Sequence, residues 1–134
     1  RKATMATVVK NENQDPDLVY EPGFEMHYGL TEESCGVNSV TLYRTIFPPS
    51  KKSKPHFHTN GDLIWYHLRG PKAIWHIGEN REEMVTEEGD FISIPRGEIH
   101  LTINTSDTET IHGVGGYGGC GGPYQSGKVF VENE

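Results

Sequence analysis

Gly89-Asp90-Phe91-Ile92-Ser93-Ile94-Pro95-Arg96-Gly97-Glu98-Ile99-His100-Leu101-Thr102-Ile103-Asn104 is the stretch whose reading decides the fold. Phe91–Ile94 and Ile99–Ile103 are short runs rich in β-branched and aromatic residues, and Pro95-Arg96-Gly97 between them is a turn signal, so the segment reads as strand, turn, strand. Its histidine gains meaning from a second pair upstream, His56-Phe57-His58. Residues two apart on a strand point to the same face, so His56 and His58 can aim two imidazoles at one ion while His100 arrives from a neighbouring strand. A lone His-x-His pair is weak evidence, because that spacing arises by chance among surface histidines.

Fixed spacings strengthen the reading. Gly89, five residues, Pro95, one residue, Gly97, two residues, His100, three residues and Asn104 match the second signature of the cupin superfamily without a gap, and Lys54-Pro55-His56-Phe57-His58 resembles the first. The resemblance runs over roughly residues 40 to 112. It implies an all-β fold, a single conical jelly-roll-like barrel whose mouth holds a divalent transition metal such as zinc, iron or nickel. It departs from the family at one place. The first signature supplies a glutamate separated from its second histidine by four, or less often three, residues, and a glycine seven positions beyond. Here Leu63 and Asp62 stand at those two spacings, and counting back seven from Gly70 reaches Leu63. Asp62 would then sit on the opposite strand face, although a bulge near Gly61 could turn it inward, so it stays as a fourth metal-ligand candidate.

The rest of the chain agrees with a β-rich fold. Leu63–Leu68 and Ala73–Ile77 are two further strand candidates, separated by Arg69-Gly70-Pro71 and followed by Gly78-Glu79-Asn80. No segment sustains apolar spacing at three and four residues over three turns, so few helices are expected. The 134 residues suit one domain, divided into an acidic, Pro-punctuated N-terminal arm over 1–28 and a barrel over 29–134. Small cupins often pair through such arms, so the resemblance implies a homodimer with the arm as a dimerisation strand.

A net charge of -7 argues against a nucleic-acid partner, and Lys51, Lys52 and Lys54 read as a solvated loop. No apolar run approaches membrane-spanning length, and residues 1–7 lack the hydrophobic stretch of a signal peptide. Cys35 and Cys120 are too few for a disulfide framework, which places the expectation in a reducing, cytoplasmic compartment. Gly113–Gly122 holds seven glycines in ten residues and reads as a floppy loop or a flap over substrate.

Strand parity names pocket residues. With Leu63 inward, Trp65 and His67 follow it; the family register after Gly70 would turn Lys72, Ile74 and His76 inward on the next strand. His67 and His76 are the general acid/base candidates, with a core imidazole as the alternative for each. Trp65 and Ile74 are substrate-contact candidates that equally suit a core. Tyr43 and Arg44 lie on a strand whose alternation is ambiguous. His27 and His112 suit surface or core roles, and Asn104 with Pro95–Gly97 suits structural ones.

Three neutral imidazoles leave an ion's charge uncompensated, which favours a small anionic and bidentate substrate such as an enolate, a diketonate or a hydroxy acid. Imidazole suits several transition metals, so the ligands do not name one. Three functional classes remain: a non-redox cyclase, lyase or isomerase; a three-histidine iron dioxygenase; and a metal-containing binding or sensor module. The resemblance extends to small polyketide cyclases, and Trp65, Tyr66 and Trp75 would suit an aromatic substrate.

Overall fold

The computed structural model describes residues 5–131. Among these residues, ten strands build two five-stranded antiparallel sheets: β1 (Glu25–Leu30), β2 (Val40–Phe47), β3 (His56–His58), β4 (Asp62–Arg69), β5 (Ala73–Ile77), β6 (Glu82–Thr86), β7 (Phe91–Ile94), β8 (His100–Asn104), β9 (Ile111–Gly118) and β10 (Lys128–Phe130). One sheet has the order β1-β2-β9-β4-β7 and the other β10-β3-β8-β5-β6. The only α-helix among the described residues is the single turn Glu32–Cys35, capped reciprocally by Thr31 and Ser34. The all-β barrel expected from the sequence is the fold observed.

Alternation decides which side chains enter the barrel. On β2, Thr41, Tyr43, Thr45 and Phe47 are buried while Val40, Leu42 and Arg44 are exposed; Tyr43 therefore faces in, and Arg44 reaches out to Asn11 and Gln14. On β4, Leu63, Trp65 and His67 are buried, as parity requires. The aromatic core centres on Phe47, stacked on Trp65 at 5.5 Å and met edge-on by Trp75 at 6.3 Å.

The glycine-rich stretch is no flap over its first part. Residues 111–118 form β9, hydrogen-bonded between β2 and β4. Gly115 lies opposite both Tyr43 and Trp65, and Gly113 opposite both Thr45 and His67. A Cβ on Gly115 would come within 2.8 Å of the Trp65 ring and 2.9 Å of the Tyr43 ring, and one on Gly113 would lie inside the Trp65 indole. Glycine is required because two neighbouring strands send large rings across this one.

The acidic segment before β1 also does more than a peripheral arm. Asp17 and Met26 exchange backbone hydrogen bonds of 2.7 and 3.0 Å, and the loop between them buries Tyr20, Glu21 and Phe24. Phe24 packs on Phe47 at 4.4 Å. This loop covers the histidines, and β1 continues across the expected arm boundary as a strand of the barrel sheet. Cys35 and Cys120 are both free thiols, the first half-buried and the second buried.

Candidate metal centre

β3 is three residues long and buries its two outer side chains, His56 and His58, while Phe57 turns the other way. His56 pairs across the ladder with His100, the first residue of β8. The turn before β8 is set by Gly97 at φ +83° and by the Glu98 N–H donating to the Pro95 carbonyl at 3.2 Å. The Gly97 N–H donates to the His58 carbonyl at 2.7 Å, which ties that turn to β3. One ligand nitrogen from each of His56, His58 and His100 falls within 4.8 Å of the others, and all three residues are buried.

Hydrogen bonds fix which nitrogen faces the shared space. His56 Nδ1 lies 2.7 Å from the Lys54 carbonyl and His100 Nδ1 lies 3.0 Å from the Glu98 carbonyl. A carbonyl only accepts, so both Nδ1 atoms carry the proton and both Nε2 atoms keep a lone pair. For His58 the partner is Ser126 Oγ at 2.9 Å. Ser126 donates its single hydroxyl proton to the Pro123 carbonyl at 2.6 Å. It must therefore accept from both His58 Nδ1 and the Tyr20 hydroxyl, the latter at 2.7 Å. All three imidazoles are thereby held in the tautomer that presents Nε2.

Burial makes them poor bases. Desolvation, with Lys128 behind it, lowers His56 to about 4; desolvation and the other two imidazoles lower His58 to about 2; desolvation and His56 lower His100 to about 3. At neutral pH the group is uncharged, the form that ligates a metal. The Nε2 atoms of His58 and His100 are enclosed with no hydrogen-bond partner. Buried nitrogens without partners, converging from two strands, fit a bound cation.

Asp62 does not join them. Its carboxylate takes three bonds from Arg96, from the backbone N–H at 2.9 Å and the guanidinium at 3.2 and 3.1 Å, on a half-exposed surface. The one-residue offset from Leu63 puts it on the outer strand face. Trp65 does border the interior, with its Nε1–H donating to Thr45 Oγ1 at 2.9 Å. His67 is fully buried, with Nδ1 3.0 Å from Thr86 Oγ1 and the ring 5.3 Å from Trp65, and it does not border the cavity beside the histidines.

On β5 the expected parity is reversed. Ala73, Trp75 and Ile77 are the inward residues, Lys72 is exposed, and Trp75 borders the cavity where Ile74 was expected. Ile74 is buried but turned away, opposite Val85 and Ile103. His76 is partly exposed and sits 3.7 Å from Glu83. The inward residues of β4 and β5 are all odd-numbered, so alternation continued from Leu63 reaches Trp75; it is the family register taken after Gly70 that is one residue off, and a one-residue offset turns every side chain to the other face.

Asn104 has the structural role anticipated. Its Nδ2 donates to the Phe47, Pro48 and Glu109 carbonyls, and its Oδ1 accepts from Ser106.

The interior space between His56, His100, Tyr43, Tyr117 and the two tryptophans has a volume of about 40 Å³, room for an ion and its waters. A larger groove of about 600 Å³ lies on the outside beside Thr31–Ser34 and Gly121–Gln125. It contains none of the three histidines, so the candidate metal centre belongs to the small interior space.

Sequence reasoning missed four neighbours of this site. Tyr20 and Glu21 come from the covering loop, and Ser126 and Lys128 come from the chain's end. Glu21 Oε2 lies 3.5 Å from His56 Nε2 and 3.1 Å from Lys128 Nζ. Burial pushes the Glu21 carboxyl up and the Lys128 amine down, while each partner's charge pulls the other back. No motif or spacing marks these residues.

A model of the cupin domain family matches residues 43–112. The chain belongs to the cupin family. An uncharacterized protein of Aquifex aeolicus (strain VF5) is 33% identical over 57 residues, which is 42% of this cupin and 45% of that protein, so the match spans less than half of the relative. The polyketide cyclase RemF from Streptomyces resistomycificus superposes with a TM-score of 0.74 at 20% identity, over 96% of this cupin and 89% of that chain. A cupin-like protein from Thermotoga maritima gives 0.66 at 19% identity, over 81% and 75%. An oxalate oxidase in complex with the substrate analogue glycolate gives 0.70 at 23%, over 98% and 65%. At these identities the likeness is one of fold.

Proposed function

We propose that this cupin is a metal-dependent enzyme of the cyclase, lyase or isomerase kind acting on a small enolisable or anionic molecule. The observation that carries this reading is the set of three buried, neutral imidazoles whose Nδ1 atoms are tied and whose Nε2 atoms face one space. A divalent ion held by His56, His58 and His100, whether zinc, iron or nickel, would supply Lewis acidity toward a carbonyl or enol oxygen. Tyr43 and Tyr117 border the same space, and burial raises both hydroxyls far above neutrality, so they stay protonated and serve as donors to an oxyanion. Trp65, Trp75 and Phe47 form flat apolar walls that suit an aromatic or polyketide-like substrate. The fold likeness to a polyketide cyclase supports the same class. Substrate entry requires the covering loop to withdraw, since organic ligands occupy roughly 300–1,000 Å³.

Elemental analysis of protein purified without added metal, read beside aerobic and anaerobic absorption spectra, tests the reading. Zinc or nickel near one equivalent supports it. Iron with oxygen uptake would turn it to a dioxygenase, and no metal after reconstitution would overturn it.

A further inference from the structure

Among the described residues, Glu21 is the one carboxylate that reaches the histidines. It is 7% exposed and borders the same interior space as His56 and His100. Its two oxygens are in different situations. Oε2 is held by Lys128 at 3.1 Å and stands 3.5 Å from His56 Nε2. Oε1 is enclosed and has no hydrogen-bond partner. A buried carboxylate oxygen without a partner is costly, and this one belongs to a residue that lines the same interior as His100, whose Nε2 is equally unpartnered, which marks a place where a cation belongs.

Lys128 is itself fixed. Its ammonium donates to the Tyr20 carbonyl and lies over the Tyr20 and Phe130 rings at 4.3 and 4.6 Å. It can therefore hold one carboxylate oxygen and leave the other toward the interior, as an orienting partner behind a ligand does. Meanwhile β4 offers only Leu63 and Trp65 to this space, neither of them a metal ligand, and three neutral imidazoles leave a divalent charge unbalanced.

We propose that Glu21, carried by the loop that covers the barrel, is the fourth protein ligand of the metal centre, binding through Oε1 with Lys128 as its orienting partner. The proposal rests on the histidine group being a metal site. It makes the Asp17–Met26 loop part of the metal site, because the loop that lies over the histidines also delivers the carboxylate.

The test is titration of the full chain with cobalt(II) and zinc against a competing chelator, with the cobalt absorption spectrum as a second readout. Wild type, Glu21→Gln, Lys128→Met and the double variant Glu21→Gln/Lys128→Met are compared. The double variant guards against a stranded buried lysine, since neutralising both partners of a buried pair is well tolerated. The expected result is a loss of about tenfold or more in affinity in both variants lacking Glu21, with a changed cobalt band. Lys128→Met should keep the wild-type band. Wild-type affinity and spectrum in Glu21→Gln or in the double variant would overturn the ligand assignment and leave the three-histidine site intact. The same follows if Lys128→Met reproduces both changes, because the pair would then be a clamp on the loop. Failure of wild type to bind either metal would overturn the proposal together with the metal-site reading.

Discussion

Ser126→Ala removes one oxygen and should disturb the metal centre from outside it. Ser126 is fully buried and its hydroxyl makes three bonds, donating to Pro123 O and accepting from His58 Nδ1 and Tyr20 OH. Without it, His58 Nδ1–H and Tyr20 O–H are two buried donors with no acceptor. Leaving a buried donor unmet costs about 1–3 kcal/mol. The structure offers one escape: Tyr20 OH already stands 3.5 Å from His58 Nδ1 and can donate to it if the imidazole proton moves to Nε2. That relief removes the lone pair that faces the other two histidines. The variant should therefore lose about 1–3 kcal/mol of stability, and its metal affinity should fall by about 10–100-fold, the usual effect of removing a partner behind a ligand. Urea denaturation of the metal-free protein reads the first quantity and chelator competition the second. Nitrogen chemical shifts of the His58 ring read the tautomer. Unchanged affinity together with a ring still protonated at Nδ1 would refute the proton accounting on which the site description rests.

Other expectations concern the ligands, the barrel interior and pH. His58→Ala or His100→Ala should abolish stoichiometric metal in elemental analysis, whereas Asp62→Asn should leave affinity within about twofold, because its exposed pair with Arg96 lies on the outer face. Gly115→Ala should lower the midpoint of thermal unfolding by overpacking, at a cost of about 1–3 kcal/mol, since its Cβ would meet the Ile64 carbonyl and the Trp65 ring at 2.8 Å; an unchanged midpoint would contradict the packing described. Metal-free protein should weaken as pH falls below the ordinary histidine value of 6.5. The unfolded imidazoles take protons there, while folded His56, His100 and His58 refuse them down to about 4, 3 and 2. The slope is about 1.4 kcal/mol per pH unit for each histidine, present as added stability above pH 6.5 and lost progressively below it. Urea midpoints at pH 7, 6 and 5 check this, and a flat profile would refute it.

The all-β class, the three histidines and the inward face of β4 were legible in the sequence, because they depend on short-range rules. Period-two alternation places His56 with His58 and Leu63 with Trp65 and His67, and the Pro95–Gly97 turn sets His100 at the head of its strand. The register taken from the family resemblance after Gly70 is one residue off on β5, exchanging His76 for Trp75 at the interior, whereas alternation continued from Leu63 reaches Trp75. The glycines of β9 looked like a mobile loop because their reason lies in rings sent across from β2 and β4.

What the sequence by itself determined is the set of three histidine donors, since strand geometry converts spacing into direction. Only the tertiary structure decided what those donors face. Glu21 is 35 residues before His56, and Ser126 is 68 residues beyond His58. Burial, tautomer and a partnering carboxylate are properties of neighbours that the fold brings together over separations no periodicity spans.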